Sequence, residues 1–548
     1  MCIHMSHGLY KKKEIIIMNI IQILKKKFLK LFFLKKNFLV LGVNLFSKKY
    51  LSINSPLKKS SLPTYLKINL PDIFLHKERI CIESGDFVLR GELLIKGDHL
   101  TVPINSPTSG YIKIEYYLDN IKESSFTKIK SIIIYPDKRD SWKKLKFLTD
   151  YYNYSSSILI NRIYIAGIVG LGGGKFPSFL KLRLSIKHNV KTLIVNGMES
   201  DPFISSDSIL ILEKINEIIL GCKIISHILH IKKVIFAISE NNLQCIKILE
   251  QVILEVSNFS LYILPSIYPL GSSKLLIKKI FGIEIPKNFR SFNIGIIVHN
   301  VGTIYAIKRS IINGEVFTQR VVTVTGISSL IKKGNVWIRI GTPIKYIIDT
   351  FCVTNKRIKN ILINGSIMGM EINKNIESYI SAETNCVAIF FRIKNSSKII
   401  EKECIFCSKC SEVCPINLLP QKLYWYIKEE NHIKTKEYNI NSCIECKSCE
   451  LVCPSNISLV KYYKKEKKIV QKKDREELFT KQLKTRFKEH NTRKLIDKRN
   501  INFFSINKKH KTKIKFKLTK ENSLFKTKKD KRKYIQDAFL RVKSRKKI

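Results

Sequence analysis

From about residue 150 to 315, unbroken apolar runs (Lys191 to Val195, Lys233 to Ile238, Ile294 to His299) alternate with stretches of helical periodicity (Ser206 to Leu220, Asn241 to Val256, Ser273 to Ile280). That alternation predicts an α/β sheet whose strands are joined by crossover helices. Before it, from Leu62 to Glu115, short strands at Arg79 to Glu83, Phe87 to Leu89 and Thr101 to Ile104 are separated by the turns Ser84-Gly85-Asp86 and Ser106 to Gly110, which predicts a small β module. After it, residues 316–395 read as strands at Val321 to Thr325, Val336 to Ile340 and Cys386 to Phe391 around a helix at Ile344 to Phe351, a small α+β module. Near the N-terminus, Ile17, Ile21, Leu24, Phe28 and Leu31 recur at helical spacing among Lys25, Lys26, Lys27 and Lys30. That stretch reads either as a basic amphipathic helix or as a lysine-rich extension without structure. Beyond Cys453 the periodicity fades into lysine-rich polar sequence, expected as a disordered or marginally helical tail.

A chain of 548 residues is too long for one compact core, and roughly three to five modules are expected. The formal charge of +54 would by itself suggest nucleic acid or an anionic membrane surface. Its distribution changes that picture: residues 461–548 hold 34 Lys and Arg against 9 Asp and Glu, and residues 1–50 hold 11 against 1, so the two ends carry more than half the excess. The basic residues are mostly lysine, without the aromatics, amides and arginines of a base-reading module, so no nucleic acid is expected as a partner. No uncharged stretch approaches the roughly 20 apolar residues of a spanning helix. Nor does a small-residue cleavage site follow a single apolar core, so a secretory signal peptide is not expected.

Eight of the 14 cysteines fall into one duplicated motif. Cys404-x-x-Cys407-x-x-Cys410-x-x-x-Cys414-Pro415 recurs as Cys443-x-x-Cys446-x-x-Cys449-x-x-x-Cys453-Pro454. Three cysteines in a tight loop wrap three irons of one cubane, while the fourth, at the start of the next helix, serves the other cluster. The expected ligand sets are therefore Cys404, Cys407, Cys410 and Cys453 for one [4Fe-4S] cluster, and Cys443, Cys446, Cys449 and Cys414 for the second. Zinc would need two cysteine pairs and has no use for a third cysteine at equal spacing followed by Cys-Pro. The other six, Cys2, Cys81, Cys222, Cys245, Cys352 and Cys386, stand singly. They argue for a reducing compartment rather than a disulfide framework, with burial as small apolar residues their default. Two adjacent clusters make a short electron wire, which needs a donor and an acceptor.

The donor site is expected in the α/β domain, where the run Ala166 to Pro177 carries glycines at 167, 170, 172, 173 and 174. Such a loop lets the backbone approach a ligand closely and leaves amide hydrogens free to cradle phosphate. It is not a phosphate-binding Walker loop, because Phe176 follows Lys175, and the third glycine of the dinucleotide fingerprint would fall on Lys175. The strand ending at Val195 runs into Asn196-Gly197-Met198-Glu199-Ser200-Asp201-Pro202, polar groups at the strand end where open α/β sheets bind ligands.

In the small β module, Gly85-Asp86-x-Val88-x-x-Gly91 followed by Pro107-x-Ser109-Gly110 resembles the barrel-sandwich folds of biotinyl and lipoyl domains. Their modified lysine is absent, which makes the module structural. Over residues 40–460 the chain resembles the C subunit of the Rnf/Rsx ion-translocating electron transport complex and, more distantly, the flavin and NADH subunit of respiratory complex I. The residues that carry this are Gly170 to Gly173 with Phe176-Pro177, Asn196-x-x-Glu199-x-x-Pro202 with Asp207, Tyr268-Pro269-x-Gly271, His299 to Thr303, Val321 to Gly326, Gly365 with Met368-Gly369, Thr384-Asn385-Cys386, and the two cysteine motifs.

That resemblance implies a multidomain α/β and α+β chain: a barrel-sandwich-like β module (61–125), a Rossmann-like FMN/NADH α/β domain (150–315), a β-grasp-like α+β module (316–395) and a helical two-cluster ferredoxin domain (396–460). A basic extension (1–60) and a lysine-rich tail (461–548) would flank them. It implies hydride transfer from NADH to FMN, with Gly170, Gly172, Gly173, Lys175, Asn196 and Glu199 around the cofactor. It further implies electron transfer through the clusters to membrane and peripheral subunits, and a peripheral place on the cytoplasmic side of a bacterial inner membrane, where the basic ends suit an anionic surface. Two departures stand out. Lys175 occupies a variable place in the family's loop, and Ser273 stands where the family carries a glutamate beside the nucleotide, so a cluster-only relay with a degenerate nucleotide site is the alternative. A nucleic-acid-binding iron-sulfur protein rests on charge alone, and a complex I flavin subunit would carry one cluster site rather than a tandem pair.

Overall fold

The computed structural model describes residues 40–70, 79–118, 127–286, 289–354, 358–372, 377–391, 400–518 and 536. The basic amphipathic stretch expected before residue 40, and Cys2 with it, lies outside them. The chain forms two compact units, Met1–Lys465 and Glu466–Ile548.

The centre of the first unit is a parallel sheet of β1 (Thr192–Gly197), β2 (Lys233–Ser239), β3 (Phe259–Leu264) and β4 (Ile296–Asn300). Its order is β3-β2-β1-β4. The strands are apolar on both faces because both are covered. Leu193, Val195, Val234, Phe236 and Ile297 belong to one core, whereas Ile194, Ile235, Ala237, Ile296 and Val298 belong to another on the opposite side. Helix α1 (Ser178–Lys187) leads into β1, α2 (Ser206–Leu229), α3 (Leu243–Leu254) and α4 (Ser273–Phe281) connect the successive strands, and α5 (Val301–Ile312) follows β4. From β1 the chain moves outward to β2 and β3, then returns to place β4 on the other side of β1. The sheet therefore switches direction between β1 and β4, and a crevice opens at the carboxyl ends of that strand pair.

The barrel-sandwich module is a four-stranded antiparallel sheet, Leu66–Asn69, Thr127–Pro136, Gly110–Leu118 and Phe87–Val88 in spatial order, with a hairpin of Leu93–Ile95 and Ile104–Asn105. Its interior is Leu66, Val88, Leu94, Ile95, Ile132 and Ile134. The β-grasp-like module is a six-stranded sheet, ordered Met370–Ile372, Ile358–Ile363, Cys386–Phe391, Gln319–Thr325, Gly334–Arg339 and Lys58–Lys59. The helix Ile344–Phe351 packs Ile344, Ile347 and Ile348 into its core.

Residues 40–60, expected as part of a basic extension, are built into these modules. Val43–Asn44 pairs antiparallel with Ile267–Tyr268, and Lys58–Lys59 pairs in parallel with Val336–Trp337. An edge strand uses its backbone for pairing and leaves its lysines in water, so composition carries no trace of it. In the second unit, residues 466–518 are helical. As far as Leu518 the tail takes the helical of its two expected forms, since the 60 residues of the helix Leu459–Leu518, without glycine or proline, are dominated by good helix formers.

Candidate functional site

The glycine loop crosses the mouth of the crevice between β1 and β4. Its ends are tied together by Gly170 N–H to the Phe176 carbonyl (2.9 Å) and Ser178 N–H to the Ile168 carbonyl (3.0 Å). It is fixed to the first turn of α5 by Leu171 N–H on the Thr303 hydroxyl (2.9 Å), while buried Arg320 of the β-grasp-like module donates to the Leu171 carbonyl (3.3 Å). A Cβ at Gly172 would meet Asn300 at 3.3 Å, and Gly173 takes φ +96°. Behind the loop lies a cavity of 340 Å³ lined by Gly170, Gly172, Gly174, Asn196, Gly271 to Lys274, His299 and Asn300, with Lys181 and Arg290 on its wall. That volume is within the range of small-molecule sites.

Charge decides what the cavity suits. Among the described residues its wall carries Lys181, Lys274 and Arg290 and no carboxylate. Lys181 donates to the Val298 carbonyl, and burial together with Arg290 pushes its amine down to about 8. Burial and, secondarily, Lys181 hold the His299 imidazole well below its ordinary range, so it is neutral, and its buried Nε2 has no hydrogen-bond partner. The Arg290 guanidinium lies 5.1 Å from the centre of the Phe176 ring. Around Gly174 a Cβ would meet nothing within 4 Å. An electropositive, glycine-walled cavity with an unpaired buried imidazole fits a flat cofactor that carries phosphate.

Of the residues expected at the cofactor, Gly170, Gly172 and Asn196 line this cavity. Asn196 accepts from Met198 N–H (3.0 Å) and donates to the Gly271 carbonyl (2.9 Å), joining two of its walls. Gly173 is at the loop's turn and is not among the lining residues. Lys175 lies outside the cavity: it borders a separate hollow and pairs with Glu383. Glu199 also lies outside it. Its carboxylate accepts the Asp207 and Ser208 amide hydrogens (2.7 and 3.2 Å), capping α2, and pairs with Lys49 (3.6 Å). Asp207, directly behind the site, receives the Asn300 side-chain amide, and burial followed by repulsion from Glu199 pushes its carboxyl up to about 7. Lys181, Arg290 and the side chain of His299 are the site residues that sequence reasoning misses. The usable signal for Lys181 is its place one turn into the helix that the glycine loop opens.

The two cysteine loops share one backbone design. Phe406 and Ser408 in the first, and Glu445 and Lys447 in the second, take left-handed φ between 55° and 61°. The second loop brings Glu445 N–H to 3.4 Å from Cys443 Sγ, and a further left-handed residue, Asn417, precedes Leu418, whose N–H lies 3.3 Å from Cys414 Sγ. Cys404, Cys407, Cys410 and Cys453 line one small cavity with Gln421 and Tyr424. In the second set, burial raises the Cys449 thiol, reinforced by Cys446, Cys443, Glu450 and Cys414, so these sulfurs share one environment. The fourth cysteine of each motif thus lies with the first three of the other. Among the described residues no three His, Cys, Asp or Glu side chains converge on a single metal ion. Three cysteines at equal spacing followed by Cys-Pro suit a cubane rather than tetrahedral zinc, and thiols raised by burial would lose their protons on binding iron. Of the isolated cysteines, Cys222, Cys245, Cys352 and Cys386 are buried and Cys81 is exposed.

Comparison with known proteins agrees with this architecture. Residues 39–139 match the family model described as RnfC barrel sandwich hybrid domain, residues 163–309 the Nuo51 FMN-binding domain, and residues 403–457 the 4Fe-4S dicluster domain. The chain is 42% identical to the C subunit of the ion-translocating oxidoreductase complex of Buchnera aphidicola subsp. Acyrthosiphon pisum, over 87% of this chain and 99% of that protein. It is 40% identical to the same protein from Buchnera aphidicola subsp. Baizongia pistaciae, over 82% and 88%, and 39% identical to that of Haemophilus influenzae strain Rd, over 79% and 53%. With an FMN-binding-type domain, a dicluster domain and a relative matched along nearly its whole length, the chain belongs to the RnfC family, the C subunits of ion-translocating oxidoreductase complexes.

Proposed function

We propose that this electron-transfer subunit takes electrons from NADH through FMN and passes them through two [4Fe-4S] clusters to membrane partners, from the cytoplasmic side of a bacterial inner membrane. The observation that carries the nucleotide half is the electropositive cavity at the switch point of the sheet. FMN would supply the conversion of a two-electron hydride donor into single electrons. Lys181 and Arg290 would meet its phosphate, Gly170, Gly172 and Gly174 would admit its body, and Asn196 would hold the Gly271 wall in place. His299, neutral and with Nε2 unpaired, would hydrogen-bond the cofactor. The clusters would be held by Cys404, Cys407, Cys410 and Cys453, and by Cys443, Cys446, Cys449 and Cys414.

A second reading, a cluster relay with a degenerate nucleotide site, is favoured by one feature. Ser272 and Ser273 line the cavity, and among the described residues no carboxylate lines it to accept from a ribose hydroxyl. An anaerobic titration of the reconstituted protein with FMN and then NADH separates the two. Bleaching of flavin and cluster absorbance by NADH supports the full route; clusters reduced by dithionite but not by NADH with FMN leave the relay. No described helix is long and apolar enough to cross a membrane, so attachment would rest on partners and on the basic ends. A high-salt wash of membranes releases the protein only if the charges dominate.

A further inference from the structure

The two cysteine sets sit in unlike surroundings. Tyr268 ends the short strand Ile267–Tyr268, and the next residues, through Gly271 to Lys274, form a wall of the nucleotide cavity. Its ring is 5% exposed and its hydroxyl donates to the Cys446 carbonyl at 2.6 Å. Cys446, Tyr268 and Ile367 form one buried cluster with Leu45 and Ile444 against it. Ile416 and Ile444, which follow Cys414 and Cys443 in sequence, also pack on the core that holds Met198 and Leu270. Among the described residues the set Cys404, Cys407, Cys410 and Cys453 is less covered, with Cys404, Cys410 and Cys453 only half-buried. Cys407 is exposed, and Ile405 and Phe406 beside it are 65% and 62% exposed, with Phe406 stacked on Trp425 at 5.1 Å.

We propose that Tyr268 is a positioning residue for the cluster of the second cysteine set, docking the Cys446 loop on the wall of the nucleotide cavity. Cys414, Cys443, Cys446 and Cys449 then form an inner site, and Cys404, Cys407, Cys410 and Cys453 an outer site open to solvent. This rests on the two-cluster reading given above. Hydrogen bonds around the ligands, burial and solvent access all tune an iron-sulfur centre. The phenol orients the Cys446 main chain while the apolar cluster excludes water from one site and not from the other.

The test uses the full chain, reconstituted anaerobically, in an EPR-monitored redox titration of wild type and Tyr268→Phe, which keeps the ring and removes only the hydroxyl. Cys404→Ser and Cys443→Ser assign the two signals. The expected result is a shift in midpoint potential and g values of the signal assigned to the Cys443 set, with the other unchanged. Two intact signals with neither moved, or a shift in the Cys404 signal, overturn the proposal. Iron and sulfide analysis showing fewer than two cubanes in the wild type would instead sink the two-cluster reading, and the inner and outer sites with it. Independently of any variant, a ferrous-iron chelator added to reduced wild type should strip the Cys404 signal first, and simultaneous loss of both would also overturn the assignment.

Discussion

The Lys175 ammonium lies 2.6 Å from the Glu383 carboxylate, carrying the tip of the glycine loop onto the β-grasp-like module. Lys175 borders a mostly apolar hollow of 440 Å³ on the side of the loop opposite the nucleotide cavity. Lys175→Ala is therefore expected to leave FMN affinity within about threefold of wild type. With half of the lysine side chain in water, the pair contributes at most about 1 kcal/mol. Flavin-fluorescence titration checks this; a tenfold loss would place the ammonium on the cofactor.

Lys181 is the opposite case, a lysine on the cavity wall whose amine is pushed down to about 8. Lys181→Met should weaken FMN binding by about 1.5–3 kcal/mol, the worth of a hydrogen bond to a charged group. The same titration of wild type at rising pH should show affinity falling as the amine loses its proton above about 8. The sign for stability is reversed. Between about 8 and its ordinary 10.5 the unfolded lysine holds a proton that the folded one has released, so the flavin-free protein should gain stability with pH across that window. Thermal midpoints at pH 7.5 and 9.5 test this: Lys181→Met should flatten the rise, and an identical rise in the variant would assign it elsewhere.

Behind the site, Glu199 and Asp207 predict a stability effect more than a binding one. Glu199→Ala strips two amide hydrogens of α2 of their acceptor and leaves Lys49 buried without its carboxylate. The expected loss is about 3–5 kcal/mol. Asp207, pushed up to about 7, keeps its proton in the folded state between the ordinary carboxylate range and about 7, so its contribution to stability declines as pH rises through that interval. Asp207→Asn should remove that decline in thermal midpoints taken at pH 5 and pH 8, and a slope as steep as in wild type would show that another group causes it.

How far these features can be read from sequence depends on the distance over which each is determined. The parallel strands are legible because burial on both faces forces continuous apolar runs such as Val234 to Ile238. The cysteine motifs are legible because cluster chemistry fixes their local spacing. Glu199 is not, since an acid after a strand looks the same whether it binds a ligand or caps the next helix, and only the fold brings Asp207, Ser208 and Lys49 around it. Lys181 is obscured by the chain's abundance of lysine, because only the surrounding burial distinguishes it. The contact of Tyr268 with Cys446 spans 178 residues and leaves no periodic trace.

The crossing of the fourth cysteines offers a sharper test of the cluster sites than loss of colour. Cys453 lies with Cys404, Cys407 and Cys410, although it belongs to the other motif, and Cys414 with Cys443, Cys446 and Cys449. Cys453→Ser should therefore perturb the same EPR signal as Cys404→Ser, and Cys414→Ser the same signal as Cys443→Ser. If each motif served its own cluster, Cys414→Ser would instead match Cys404→Ser. Serine is close in size and still offers oxygen, so the protein should fold while the affected cluster changes potential or is lost. The pairing of signals across the four variants thus reads the ligand sets directly, and a pairing by motif would reject them.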